Sequence, residues 1–134
     1  MTLSLGRCNM AVQVSWYMGR RIIYALIQGE YLSLAELEAL NDQLLPFIRH
    51  SDPYAHVILD ASSVTTMQSQ VFERATLSYL REPDLGRTIV IASDAVAAQL
   101  KPLFTHSAPF DSFTSLEEGM FFLEDEDESL LMPA

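Results

Sequence analysis

The chain has 134 residues, 49% of them apolar and 19% charged, with a formal net charge of −10. That composition suits one folded domain around a single substantial core and excludes a disordered polymer. Its 8 Lys and Arg residues are scattered among 18 Asp and Glu, which argues against nucleic acid or an anionic membrane surface as partner, since both require clustered cations.

Five of the negative charges sit together in Glu124-Asp-Glu-Asp-Glu128, leaving about −5 on the rest. A single cysteine, Cys8, excludes an internal disulfide and a cysteine-based zinc site within one chain. No apolar run approaches the ~20 residues needed to cross a bilayer. Gln13 and Ser15 interrupt the apolar pattern after Met10, unlike a signal peptide. These features read as a cytoplasmic protein. Residues 1–10 read as a disordered extension, 11–123 as an α/β domain and 124–134 as an acidic disordered tail. Met10 stands as an alternative start to Met1.

In chain order, Val12, Val14 and Trp16 alternate with Gln13, Ser15 and Tyr17, the two-residue period of a half-buried strand. Met18-Gly19-Arg20 makes a turn, and Arg21 to Gln28 is apolar on both faces, so the two runs predict an antiparallel hairpin with an interior second strand. Ser33-Leu-Ala-Glu36 is a capping box opening a helix with Leu37, Leu40, Leu44 and Ile48 on one stripe. Pro46 is expected to kink or end that helix.

His56-Val-Ile-Leu-Asp60 reads as a buried parallel strand feeding the loop Ala61-Ser-Ser-Val-Thr-Thr66. Gln68 to Arg81 reads as a second helix, with Phe72, Ala75, Thr76 and Tyr79 inward. Thr88 to Ala92 reads as a buried strand and Asp94 as the cap of a third helix, with Val96, Leu100, Leu103 and Phe104 facing in. Ala108 to Phe113 reads as a fifth strand, its Pro109 marking an edge or a start. Thr114-Ser-Leu-Glu117 is a second capping box, opening a last helix through Leu123. The order ββαβαβαβα predicts a mixed, mostly parallel five-stranded sheet with about four helices.

Chemistry is sparse. No phosphate-cradling glycine motif is present, and His50, His56 and His106 show no metal or dyad spacing. No catalytic residue, metal site or cofactor is implied. Asp60 ends a buried strand, where ligands of open α/β sheets are met. A desolvated acid there competes with a loop acceptor for the amides of Ser62–Thr66, and the loop role carries more weight. Ser62, Ser63, Thr65 and Thr66 read as turn and cap residues, with no base beside them in sequence. The aromatic residues read mainly as core. Phe121-Phe122, with Leu116, Met120 and Leu123, make the last helix apolar almost all round, so either another chain or the tail covers it; the first reading predicts a homodimer contact at Met120, Phe121 and Phe122.

The segment Val57-Ile-Leu-Asp60, Ala-Ser-Ser-Val64, Thr-Thr-Met67 resembles the STAS family, the domain of anti-sigma-factor antagonists and sulfate transporter tails. There a strand ends in Leu-Asp, a short loop holds Ser and Val, and an Asp-Ser-Ser-Gly motif opens the next helix. Gln68-Ser-Gln-Val71 stands in place of that motif. The resemblance implies a non-enzymatic regulatory module that binds a protein partner through Asp60, Ser62, Ser63, Thr65, Thr66, Gln68, Ser69 and Gln70. The family's phosphorylated serine corresponds to Gln70, so constitutive binding is expected in place of a switch; Ser69 keeps the first serine position and stands as the candidate phosphorylation site. The alternative is a small-molecule or lipid carrier with an apolar cavity between sheet and helix.

Overall fold

The computed structural model describes residues 12–68, 77–104 and 110–131. The described elements begin with β1 (Val12–Met18), β2 (Ile22–Ile27), a short β3 (Tyr31–Leu32) and helix α1 (Leu34–Arg49). They continue with β4 (Ala55–Asp60), a short β5 (Thr66–Met67), a 3-10 turn (Ser78–Arg81) and β6 (Leu85–Ile91). Helix α2 (Asp94–Leu100) runs into a 3-10 turn (Lys101–Leu103), β7 (Phe110–Phe113) follows, and helix α3 (Leu116–Glu126) leads to a last 3-10 turn (Glu128–Leu131).

The main sheet is the expected mixed one, in the order β1-β2-β4-β6-β7. β1 pairs antiparallel with β2, and the other pairs are parallel. Gly19 turns the hairpin with φ 53°, a conformation that costs glycine little and other residues much more. From β2 onward the strand order never reverses. Right-handed crossovers along such a sheet place every connecting helix on the same face. Accordingly α1, α2 and the Ser78–Arg81 turn share one large core with Val57, Leu59 and Val90. Among the described residues the opposite face carries α3 and Leu130 of the turn that follows it, over Ile22, Ile58, Ile89 and Ile91.

Each helix forms for local reasons. Ser33 accepts from the Glu36 amide at 3.3 Å while Glu36 accepts from the Ser33 amide at 2.9 Å, closing the expected box. Leu37, Leu40, Leu44 and Ile48 are each at most 1% exposed, and such burial stabilises by roughly 1.5–3 kcal/mol per side chain. Pro46 does not end α1, which continues to Arg49 before His50 closes it with its amide on the Pro46 carbonyl. The caps of the later helices lie one residue from their expected places. Ser93, not Asp94, caps α2, and Ser115, not Thr114, caps α3. Gly119 lets α3 sit close to the sheet, since a Cβ there would lie 2.8 Å from Ile89 Cδ1 and 2.9 Å from Ile91 Cδ1.

Three expectations are corrected. Thr66–Met67 is a strand paired parallel with Tyr31–Leu32, and the described end of the expected helix Gln68–Arg81, Ser78–Arg81, is a 3-10 turn. Phe72, Ala75, Thr76, Pro109 and residues 1–11 lie outside the described residues. The last helix does not stop at Leu123 but runs to Glu126. The acidic stretch that follows is not a free tail over residues 124–131, because Asp127 is bound into the sheet face and Leu130 packs on the core beneath α3.

Candidate functional site

The carboxyl end of β4 is built as a closed acceptor. Asp60 is 7% exposed and accepts at Oδ1 from the Ser62 amide (3.0 Å) and the Ser62 hydroxyl (2.7 Å). Its Oδ2 accepts from the Tyr24 hydroxyl on the neighbouring strand. Burial, followed by the hydrogen bond to Asp60, pushes the Tyr24 phenol well above its ordinary range, so it stays a donor. Both carboxylate oxygens are thus engaged in holding a turn, the role that weighed more in the sequence. The carboxylate on the Ser62 and Tyr24 hydroxyls is Asp60 itself, shared with the Ser62 amide.

Beyond Asp60 the loop is anchored from below and open above. Ala61 and Val64 are buried, while Ser62, Ser63, Thr65 and Thr66 are exposed. The amides of Thr65 and Thr66 both donate to the Glu30 carbonyl, at 2.8 and 3.0 Å. Gln68 is turned away from this surface: its Oε1 accepts from the Leu34 amide at 2.9 Å, and its own amide donates to the Leu32 carbonyl. Gln68 therefore completes the start of α1. Ser69 and Gln70 lie outside the described residues. Tyr31, which no local pattern singled out, pairs with Thr66 and is 52% exposed, so it joins the hydroxyl face.

A second polar cluster sits at the amino end of the same strands. His56 Nε2 lies 2.7 Å from Asp127 Oδ2, and its Nδ1 accepts from the Arg87 amide at 2.9 Å. The backbone amide fixes the tautomer: Nδ1 is the acceptor, so Nε2 carries the proton and donates to Asp127. Tyr54 also donates to Asp127 Oδ2 at 2.7 Å, and Arg21 approaches it at 3.2 Å. Arg87 bridges Asp111 at 3.2 Å and Glu126 at 2.7 Å. Gly86 makes room for the ring, since a Cβ there would lie 2.5 Å from His56 Nδ1. With both nitrogens bound inside the protein, His56 has no free atom for proton transfer to a ligand. The cluster is a clasp that ties the acidic segment to the sheet.

Burial is the main cause that lowers the His56 pKa, against the raising effect of Asp127 and with smaller lowering from Arg21 and Arg87. A histidine held neutral when folded contributes stability above its unfolded pKa, about 6.5, and loses it as pH falls through the folded value. The melting temperature is therefore expected to decline from pH 7 towards pH 5 more steeply in the wild type than in His56→Gln. Parallel pH curves for the two proteins would contradict this assignment.

The expected dimer contacts separate. Phe122 packs on Phe113 at 5.1 Å between ring centroids and under the Arg87 guanidinium, and Met120 is half-buried against the core beneath α3. Phe121 alone of the three stands out, 75% exposed. Beside it a surface groove of about 620 Å³ runs between α3 and Tyr17 of β1. Among the described residues no group of three or more His, Cys, Asp or Glu is arranged to hold a metal, and no helix is long and apolar enough to cross a membrane. Two buried hydroxyls, Tyr79 and Thr88, face each other, and neither has a further hydrogen-bond partner among the described residues.

Comparison with known proteins finds no matching family model, no matching curated protein and no matching solved structure.

Proposed function

We propose that this chain is a non-enzymatic, STAS-like regulatory module that binds a protein partner through the surface after β4. The observation that carries the reading is the combination of an inward-turned Asp60 with an outward, backbone-anchored Tyr31–Ser63–Thr65–Thr66 face. A tyrosine among small hydroxyl side chains is an effective protein-contact surface: the ring supplies area at low entropic cost and the hydroxyls adapt their hydrogen bonds. The strand order supports binding over catalysis, because a sheet without a reversal offers no crevice between helices on opposite faces, where α/β enzymes hold their substrates. Asp60 and His56, the buried ionisable groups nearest to such chemistry, are both occupied in holding the fold.

The partner is constitutive in this reading, since Gln70 replaces the family's phospho-acceptor. The test is recovery of native partners on immobilised Tyr31→Ala and Ser63→Glu proteins. Both side chains are exposed, so melting temperatures should stay within about 2 °C of wild type, while one specific partner is lost. An unchanged partner set on both folded variants would contradict the proposal.

The alternative, a carrier of an apolar ligand, draws on the groove between Tyr17 and α3.

A further inference from the structure

The groove beside α3 follows from topology. Among the described residues α3 and the turn after it cover the second face of the five-stranded sheet and leave β1 open there, with Gln13, Ser15 and Tyr17 exposed. Tyr17 is 46% exposed and leans on Tyr24 at 6.0 Å between ring centroids. With Leu116, Met120 and Phe121 it gives the groove an apolar floor. Glu117, Glu118 and Glu124 line the same groove. A smaller hollow of about 200 Å³ on the other side of Phe121 adds Asp125 and Glu128. Helix α3 itself carries no Lys or Arg. Among the described residues two arginines reach it: Arg21 binds Asp127 beyond its end, and Arg87 binds Glu126 and lies over the Phe122 ring.

We infer that this groove is a second docking surface, independent of the Tyr31–Thr66 face, and that its occupant is a basic amphipathic segment of another protein. Such a segment places apolar side chains on Tyr17, Met120 and Phe121 and Lys or Arg against the flanking carboxylates. The charge pattern decides among occupants. A symmetric contact between two copies brings Phe121 to Phe121 but also the carboxylates of one α3 against those of the other, and like charges facing each other at an interface are costly. A neutral apolar ligand uses the floor alone and gains nothing from the three carboxylates of the rim. A cationic amphipathic chain satisfies both the floor and the rim, with Phe121 as the anchor.

The test uses a fluorescein-labelled synthetic peptide with leucine at helical spacing and lysine at the remaining positions, read by anisotropy against the full chain. Saturable binding is expected, weakening as salt is raised. Phe121→Ser should weaken it by about tenfold or more, as loss of an aromatic anchor does. The pair Glu117→Gln with Glu124→Gln should weaken it several-fold and flatten its salt dependence. The pair Glu38→Gln with Asp42→Asn makes the same charge change on the exposed side of α1 and should leave binding within about twofold. All these side chains are at least partly exposed and lie outside the two cores, so a melting curve close to wild type verifies folding in each variant. Equal weakening by the α1 pair means attraction by net charge alone and overturns the inference. So does unchanged binding in Phe121→Ser. A doubled mass in sedimentation that Phe121→Ser abolishes, or saturable binding of a neutral apolar dye that excludes the peptide, overturns it in favour of a second copy or a small ligand.

Discussion

Asp127→Ala is expected to destabilise the fold by about 2–4 kcal/mol, the cost of removing one partner from a buried, charge-assisted network. Three donors converge on this carboxylate: the His56 ring, the Tyr54 hydroxyl and the Arg21 guanidinium. Asp127 is 12% exposed and His56 5%, so the orphaned ring N–H has little water to turn to. Arg21, at 21%, recovers some solvation, which keeps the estimate below the upper limit for a buried pair. At this chain length the loss corresponds to roughly 6–15 °C in melting temperature. Truncation before Glu124 should cost at least as much, because it removes Asp127, the last turn of α3 and Leu130 together. That reverses the expectation from composition, by which the acidic end buries little. A variant ending at Leu123 that melted within about 2 °C of wild type would show that the clasp does not hold in solution.

Asp60→Ala carries the second large effect, about 1–3 kcal/mol. It removes the acceptor for the Ser62 amide, the Ser62 hydroxyl and the Tyr24 hydroxyl in one step. The cost is smaller than at Asp127 because Ser62 is exposed and water replaces part of what it loses. The loop consequence is larger than the stability consequence. Without Asp60 the turn after β4 keeps its Glu30 anchor at Thr65 and Thr66 but loses the one at Ser62, so Ser63 is no longer held out from the sheet. Partner binding should fall in Asp60→Ala even at temperatures where the protein is fully folded. Asp60→Asn, which keeps an acceptor oxygen for Ser62, should retain more of both. If Asp60→Ala melts as the wild type does, the carboxylate is not the structural acceptor described here.

What was legible in the sequence was what local physics decides. The Ser33–Glu36 box, the Gly19 turn and the all-buried β4 each depend on residues within a few positions of one another. The two displaced caps show the limit of that reading. Ser93-Asp94 and Thr114-Ser115 are adjacent pairs of good capping residues, and the choice between them depends on where β6 and β7 stop pairing, at Ile91 and Phe113. Thr66-Met67 ends the loop before the expected helix in the sequence, yet it is drawn into a strand by Tyr31–Leu32, more than thirty residues earlier.

Asp60 was found as the central carboxylate because it closes an apolar run. Asp127 was not, because in a run of five acidic residues no period distinguishes the one that turns inward. Its partner His56 is 71 residues away, and Tyr54 and Arg21 are farther still. Gly86 shows no local reason for lacking a side chain; the rings of His56 and Tyr54, which a Cβ there would crowd, supply it. Tyr31 and Tyr17 carry the exposed aromatic surface at two ends of the molecule. The β1 alternation puts Tyr17 with Gln13 and Ser15, whereas no local pattern marks Tyr31.

The most direct test of the central claim is site-specific photo-crosslinking in the native cell, with a benzophenone side chain introduced at Ser63 and, as comparison, at Glu38 on the exposed side of α1. A contact surface at the carboxyl end of β4 predicts one discrete, light-dependent adduct with another protein from position 63, absent from position 38 and lost when Tyr31→Ala is added. No adduct from position 63, or the same adducts from both positions, would contradict it.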